Sequence, residues 1–182
     1  MSADATSCTA KRMKRTDEVE KQSATAQVCM HEGDLFTDSD PEAALVHCVS
    51  RDLRMGRGIA TTFRDMFGPS GIRQLEAQQA AVGGVAVLSV GGGRLCFNLV
   101  SKERYWHKPT YDSLRLSLRE LRRQCESHGV TRVAMPRIGC GLDRLHWDRV
   151  LPMIEELLVG VAVDVYQLAV SMPAAAESTK KK

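Results

Sequence analysis

Alternation of β-strand and α-helix patterns is the feature that most constrains what this chain can fold into. Short apolar, β-branched runs predict six strands, at residues 27–32, 43–50, 85–90, 95–100, 132–135 and 161–168. Apolar residues at helical spacing predict helices at residues 59–67, 72–82, 111–128 and 147–158. Three consecutive glycines at 91–93 indicate a hairpin between the third and fourth strands. This order predicts an α/β domain with a mixed sheet covered by helices on both faces.

Length and composition set the class of protein. The chain has 182 residues, 43% of them hydrophobic, which is enough for one domain with a sizeable core. No apolar run approaches the roughly 20 residues that cross a bilayer, and the N-terminus lacks a secretory signal, so we expect neither a membrane nor a secreted protein. Six cysteines without CxxC spacing predict reduced thiols. No metal site and no cofactor are expected.

Two tails flank the predicted domain at residues 26–171. Residues 1–25 and 172–182 are polar and of low complexity, which predicts disorder. The basic run at 11–15 fits either a nuclear localisation signal or a solvated charge cluster. Between residues 31 and 171 the chain carries 17 basic and 17 acidic residues. This neutrality argues against sequence-specific nucleic-acid binding, which usually requires a basic face.

Two glycine-bearing loops follow predicted strands, at residues 50–60 and 136–143. Glycine lets the backbone approach a ligand closely, and backbone amides at such turns can hold phosphate without a basic side chain. Neither loop matches a Walker motif or the full dinucleotide fingerprint, and either one alone could be a simple tight turn. Together, the pair fits a pyrophosphate with a further group at each end.

A few side chains near these loops carry reactive groups. Lys102 and Lys108 are the only lysines between residues 31 and 171, against fifteen arginines, and both are expected in a loop after the fourth strand. Each is either an ordinary surface residue or an amine nucleophile. Asp143 either meets a non-phosphate part of a ligand, acts as acid or base, or caps a helix. His47 and Cys48 are expected in the core.

Several stretches resemble the macrodomain family. They are GDLF at 33–36, HCVS at 47–50 with RMGRGIA at 54–60, HKPTY at 107–111 and, above all, MPRIGCGLDRL at 135–145. Within that family they are similar to the terminal ADP-ribose protein glycohydrolases, also described as O-acetyl-ADP-ribose deacetylases. The resemblance runs from about residue 28 to residue 168. It implies a six-stranded mixed sheet between helices, with ADP-ribose in a crevice at the strand ends.

The resemblance also implies roles for individual residues. Lys102 matches the catalytic lysine nucleophile of these enzymes, and Asp143 matches their catalytic acidic residue. Asp34 matches an adenine contact. Arg57 stands where relatives often have a small residue. Positions implied to contact ADP-ribose are Asp34, Leu35, Ser50, Met55, Gly56, Gly58, Ile59, Arg137, Ile138, Gly139, Cys140, Gly141, Leu142 and Leu168.

The implied activity is removal of ADP-ribose from acidic side chains of proteins, together with deacetylation of O-acetyl-ADP-ribose. The expected partners are ADP-ribose and mono- or poly-ADP-ribosylated proteins. We expect a monomer in the nucleus, with the cytoplasm as a further compartment. Two alternatives stay open: a reader module that binds ADP-ribose without turning it over, and a protein that binds nucleic acid through its basic tails.

Overall fold

One sheet and three α-helices make up residues 25–168, the part of the chain that the computed structural model describes. The strands are β1 (Val28–Glu32), β2 (Ala44–Ser50), β3 (Val85–Ser89), β4 (Leu95–Lys102), β5 (Arg132–Pro136) and β6 (Ala162–Gln167). The helices are α1 (Ile59–Ala77), α2 (Tyr111–His128) and α3 (Trp147–Leu157), with a short 3-10 turn at Gly91–Gly93. Apart from Thr25, the two predicted tails lie outside the described residues.

The sheet has the order β1-β6-β5-β2-β4-β3 and is mixed, which confirms the predicted fold class. All neighbouring pairs are parallel except β3 with β4, which form the antiparallel hairpin at one edge. The carboxyl ends of five parallel strands therefore lie along the same edge of the sheet. Loops that follow such ends are where ligands collect in open α/β folds.

Helices cover both faces of the sheet, and each face has its own core. On β2, Leu45 packs under α1 with Phe63, whereas its neighbour Val46 packs under α2 and α3 with Leu118 and Ile154. This alternation follows from the two-residue period of a strand. Full burial of one such side chain stabilises the fold by about 1.5–3 kcal/mol. None of the described helices combines the length and hydropathy that a bilayer crossing requires.

Local sequence signals set the ends of α2 as predicted. Thr110 Oγ1 accepts a hydrogen bond from the Ser113 amide, and Ser113 Oγ accepts one from the Thr110 amide, both at 3.0 Å. This reciprocal capping satisfies two amides that the first helical turn leaves without partners. At the other end, Gly129 adopts the left-handed conformation (φ 66°) that commonly terminates a helix.

Two predicted element ends were wrong by two residues or more. The helices expected at 59–67 and 72–82 are the two parts of α1, which is broken at Gly68 (φ 61°), next to Pro69, as the first predicted end at 67 requires, but α1 ends at Ala77 and not at residue 82. Strand β4 continues two residues beyond the predicted end at Val100, so Lys102 belongs to the strand and not to the following loop. The reason is a bulge: Val49 pairs with Val100, but Ser50 pairs with Lys102.

A side chain covers part of the edge strand β3. Gln78, just after α1, donates its amide Nε2 to the carbonyl of Val87 and accepts a hydrogen bond at Oε1 from the amide of Val87, both at 2.8 Å. Gln78 thus satisfies the outward-facing backbone groups of Val87 as a neighbouring strand would.

Candidate active site

The ends of β2 and β4 open into a cleft of about 1560 Å³. Its lining comes from the end of β2, the loop from β2 to α1, one face of α1, the end of β4, residues 105, 106 and 108 and the loop at 141–144. The cleft therefore lies where the parallel strands end, as the topology leads one to expect. We refer to this cavity as the cleft.

Lys102 and Asp143 meet in the wall of the cleft. Lys102 is the last residue of β4 and Asp143 lies in the loop after β5, and Nζ of Lys102 donates a hydrogen bond to Oδ1 of Asp143. Only 12% and 13% of these two side chains are exposed. The pair is therefore shielded from most of the solvent, and a ligand reaches it through the cleft. The contact places an amine beside a carboxylate that is within reach to exchange a proton with it.

The loop at 136–145 is held in place around Asp143. Gly139 has a left-handed φ of 72°, and a Cβ there would lie 2.9 Å from Cδ1 of Leu145. The Gly139 carbonyl accepts a hydrogen bond from the Leu145 amide at 2.8 Å. From the opposite side, Nζ of Lys108 donates to the carbonyl of Leu142 at 2.6 Å. Lys108 thus lines the cleft and holds the backbone beside Asp143, and its amine is engaged in this hydrogen bond.

The first loop carries strain on residues other than its glycines. Leu53 (φ 46°) and Met55 (φ 38°) adopt left-handed conformations that residues with side chains rarely take up. Both are buried, and that packing offsets the conformational cost. Ser50 Oγ donates to Oδ1 of Asp52 at 2.6 Å, which fixes the start of the loop. The spacing of the glycines in the sequence did not indicate a left-handed backbone at Leu53.

The structure divides the residues predicted to bind ADP-ribose into three groups. Those that line the cleft with Lys102 and Asp143 are Ser50, Met55, Gly56, Gly141 and Leu142. Those in the same two loops but outside the lining are Gly58, Ile59, Ile138, Gly139 and Cys140. Those at the ends of β1, β5 and β6, also outside the lining, are Asp34, Leu35, Arg137 and Leu168.

The third group lies along the same strand-end edge but has its own contacts. Asp34 Oδ1 accepts a hydrogen bond from the Phe36 amide at 2.8 Å, as an aspartate that stabilises a turn does. Leu35 is only 3% exposed and offers a ligand little surface, whereas Leu168 is 67% exposed. Arg137 donates to Oε1 of Gln167 at 2.9 Å, and its buried Nε has no partner among the described residues.

His47 and Cys48 differ in their surroundings. His47 lies in the core as predicted, and its ring stacks on Phe63 with centroids 3.7 Å apart. Burial lowers the pKa of His47 to about 4. Cys48 reaches the cleft beside Lys102. Burial, and secondarily the Asp143 carboxylate, raises the pKa of the Cys48 thiol to about 12, so this cysteine stays a neutral thiol and a poor nucleophile.

Sequence reasoning missed two aromatic residues at the mouth of the cleft. Tyr105 is 48% exposed and Trp106 is 61% exposed, and both line the cleft. Adjacent aromatic residues in a loop without helical or strand periodicity are a signal that could have drawn attention to them. Among residues 25–168, no cluster of three or more His, Cys, Asp or Glu side chains could hold a metal ion.

A mixed six-stranded sheet with a cleft at its parallel strand ends defines the class of protein, and the chain belongs to the Macro domain family, whose family model matches residues 46–154. Among curated proteins it is similar to ADP-ribose glycohydrolase OARD1 of Bos taurus, with 44% identity over 150 residues, covering 81% of this chain and 96% of that protein. It is 46% identical to the Homo sapiens protein of the same name, covering 75% of this chain and 88% of that protein.

Solved structures with the same fold include the macrodomain of Thermus aquaticus DarG. The two chains superpose with a TM-score of 0.67 and 27% identity, covering 78% of this chain and 99% of the other. A further fold relative is Thermosipho africanus DarTG, solved in complex with ADP-ribose, with a TM-score of 0.68 and 18% identity, covering 82% of this chain and 43% of the other. The family model and the curated relatives confirm the family that the sequence motifs resemble, and these structures show the same fold.

Proposed function

We propose that this protein is a hydrolase that removes ADP-ribose from acidic side chains of proteins and also deacetylates O-acetyl-ADP-ribose. The names of the curated relatives at 44% and 46% identity support glycohydrolase activity. The observation that carries the lysine mechanism is the contact between the Lys102 amine and the Asp143 carboxylate within the cleft. A module that only binds ADP-ribose has no need of an amine beside a proton acceptor.

The first chemical step is attack by Lys102 on the substrate. The bond to be cut joins a ribose carbon to the oxygen of a protein carboxylate, so the carbon is electrophilic and the carboxylate is a good leaving group. Asp143 takes a proton from the ammonium group of Lys102, which makes Nζ a nucleophile. A C–N bond forms, the C–O bond breaks, and the electron pair leaves with the protein carboxylate, which takes the proton from Asp143.

The second step releases ADP-ribose from Lys102. Water adds its oxygen to the same ribose carbon, a proton of that water passes to Asp143, and the C–N bond breaks with its electron pair on Nζ. Return of the proton from Asp143 to the amine restores the starting pair. The two glycine loops hold the pyrophosphate through backbone amides and so fix the ribose relative to Nζ.

Replacement of the nucleophile tests this mechanism. Lys102→Arg keeps a positive charge but supplies a guanidinium that stays protonated and cannot attack carbon. We expect release of ADP-ribose from a glutamate-modified protein to fall by at least about 100-fold, with ADP-ribose affinity by calorimetry within about threefold of wild type. Mass spectrometry of the wild-type protein after incubation with ADP-ribose should detect an adduct on Lys102.

Asp143→Ala is the partner experiment. It removes proton transfer, so turnover should also fall by about 100-fold or more. Accumulation of the Lys102 adduct in this variant would assign Asp143 chiefly to the second step. A Lys102→Arg protein that hydrolyses the substrate near the wild-type rate would contradict the role of Lys102 as the nucleophile. Wild-type protein that binds ADP-ribose but yields neither product nor adduct would identify a reader instead.

The partners and location that we propose follow from this activity. The substrates are mono- or poly-ADP-ribosylated proteins, and the basic run at 11–15, outside the described residues, is proposed to direct the chain to the nucleus. Imaging of the full chain with the four basic residues of that run replaced by alanine tests this. Unchanged nuclear fluorescence would exclude the run as the signal.

A further inference from the structure

Two exposed aromatic side chains stand at the mouth of the cleft, directly after the strand that carries Lys102. Tyr105 and Trp106 are 48% and 61% exposed, although Trp106 is among the largest apolar side chains in the chain. Both line the cleft. Aromatic and arginine side chains are enriched at the centres of protein–protein interfaces.

Neighbouring groups fix this aromatic pair. The Tyr105 amide donates to Oδ2 of Asp52 at 3.3 Å, and Asp52 is itself held by Ser50. The guanidinium of Arg54 lies 5.7 Å from the centre of the Tyr105 ring. Trp106 meets Tyr105 edge to face, with ring centres 4.8 Å apart and planes at 88°. A surface ordered before binding loses little conformational entropy when a partner arrives.

The distance from Lys102 to Tyr105 and Trp106 limits which part of a substrate can contact the aromatic pair. Three residues of chain span at most about 11 Å, so Tyr105 lies within that distance of Lys102 along the backbone. The ribose carbon under attack has to touch Nζ of Lys102, and the carboxylate that leaves is only a few bonds from the backbone of the modified protein. The polypeptide of the substrate therefore passes close to Tyr105 and Trp106, which we call the rim of the cleft.

The size and the charge of the cleft also fit a modified polypeptide. Its volume of about 1560 Å³ exceeds the roughly 300–1,000 Å³ of ordinary small-ligand pockets. Arg54, Arg57 and Arg64 line it, and none of the three takes part in an ion pair among residues 25–168. The acidic side chains Asp65 and Glu76 line the α1 wall.

We propose that Tyr105 and Trp106, with Arg54 beside them, form the docking surface for the polypeptide that carries the modified carboxylate, with acidic residues next to it favoured. The proposal rests on the hydrolase function given above. It assigns the rim to recognition of the protein part of the substrate, and the strand-end loops to recognition of ADP-ribose.

The test compares a modified peptide with free ADP-ribose. The probe is a synthetic peptide with one ADP-ribosylated glutamate between acidic residues, and the variants of the full chain are Trp106→Ala and Tyr105→Ala. Met30→Ala is the control. Met30 is 49% exposed on β1, which is the edge strand at the end of the sheet opposite to the β3–β4 hairpin. We expect KM for the peptide to rise about tenfold in the rim variants with kcat unchanged, and ADP-ribose affinity by calorimetry to stay within twofold.

Three results would contradict the docking surface or the hydrolase function. An unchanged KM in Trp106→Ala overturns the docking surface. An equal loss of affinity for free ADP-ribose also overturns it, because the aromatic pair would then belong to the nucleotide site. If wild-type protein hydrolyses no substrate, the hydrolase proposal fails by itself. Docking is then tested by binding alone. The proposal holds if wild-type protein binds the modified peptide more tightly than ADP-ribose and Trp106→Ala binds the two equally, and it fails if the two proteins show the same preference.

Discussion

Burial keeps the imidazole of His47 neutral, and its one hydrogen-bond partner leaves no place for a second proton. Asn98 donates its side-chain amide to the carbonyls of Ala86 and Cys96, so its Oδ1 can only accept, and it accepts from Nε2 of His47 at 2.7 Å. Nδ1 of His47 is buried without a partner among the described residues. A second proton would have to sit on this nitrogen with no acceptor, which agrees with the pKa of about 4.

This neutrality predicts a pH-dependent stability. The folded-state pKa lies below the ordinary value of 6.5, so between pH 6.5 and 4 the unfolded chain binds a proton at His47 that the folded chain does not. Stability is therefore lost as pH falls through this window, by about 3 kcal/mol from this residue. Urea unfolding at several pH values measures the loss.

The matched variant is His47→Gln, which keeps an amide donor for Asn98 but cannot take up the proton. Its free energy of unfolding should be lower than that of wild type at pH 7 and should decline less between pH 6.5 and 4. Parallel curves for the two proteins would show that other groups cause the acid sensitivity.

Individual residues also show what the sequence could and could not predict. The resemblance singled out Lys102 and Asp143, and the structure places their side chains in contact. Spacing alone could not have paired them, because 41 positions separate them and the bulge at Val49 and Ser50 has no local sequence signature. The left-handed backbone of Leu53 could not be predicted from the sequence either, since it is stabilised by the burial of the Leu53 side chain in the folded protein.

Among the elements, the loop at 136–145 depends most on one glycine. The space that a Gly139 side chain would enter is filled by the end of the Leu145 side chain, so a larger residue has to push Leu145 aside as well as narrow the ligand's approach. Gly139→Val adds left-handed backbone strain to this overlap, and we expect a loss of at least about 2 kcal/mol in stability. ADP-ribose binding should be lost with the loop geometry.

A neighbouring glycine supplies the comparison for that experiment. A Cβ at Gly141 would meet no atom within 4 Å, and the backbone there has no left-handed φ, so Gly141→Ala should unfold at the wild-type denaturant concentration. Chemical denaturation and calorimetry of both variants give the answer. A Gly139→Val protein with unaltered stability and affinity would remove this loop from the binding site.

Element boundaries were predictable where the apolar pattern ends together with the helix. The spacing gave α2 its correct limits, and in the structure Thr110 and Gly129 cap it there. The end of α1 was misjudged by five residues because the apolar pattern continues after Ala77, whereas the backbone turns at Gln79 with a φ of 47°.

At the scale of the whole molecule, every residue proposed to act in catalysis or binding lies within residues 25–168. A fragment of residues 26–171 should therefore fold and keep kcat/KM within about twofold of the full chain. Circular dichroism and the release assay on the modified protein check this expectation. A fragment that unfolds cooperatively but has lost turnover would place an essential group in the removed segments.

The contact of Gln78 with Val87 has a consequence for concentrated solutions. Edge strands are the usual starting points for intermolecular β-sheet growth, because their free amides and carbonyls can pair with another chain. Here an incoming strand would first have to displace a two-point amide contact at the middle of β3. Crowded protein molecules that collide at this edge thus meet a barrier to fibril nucleation, supplied by a single glutamine side chain.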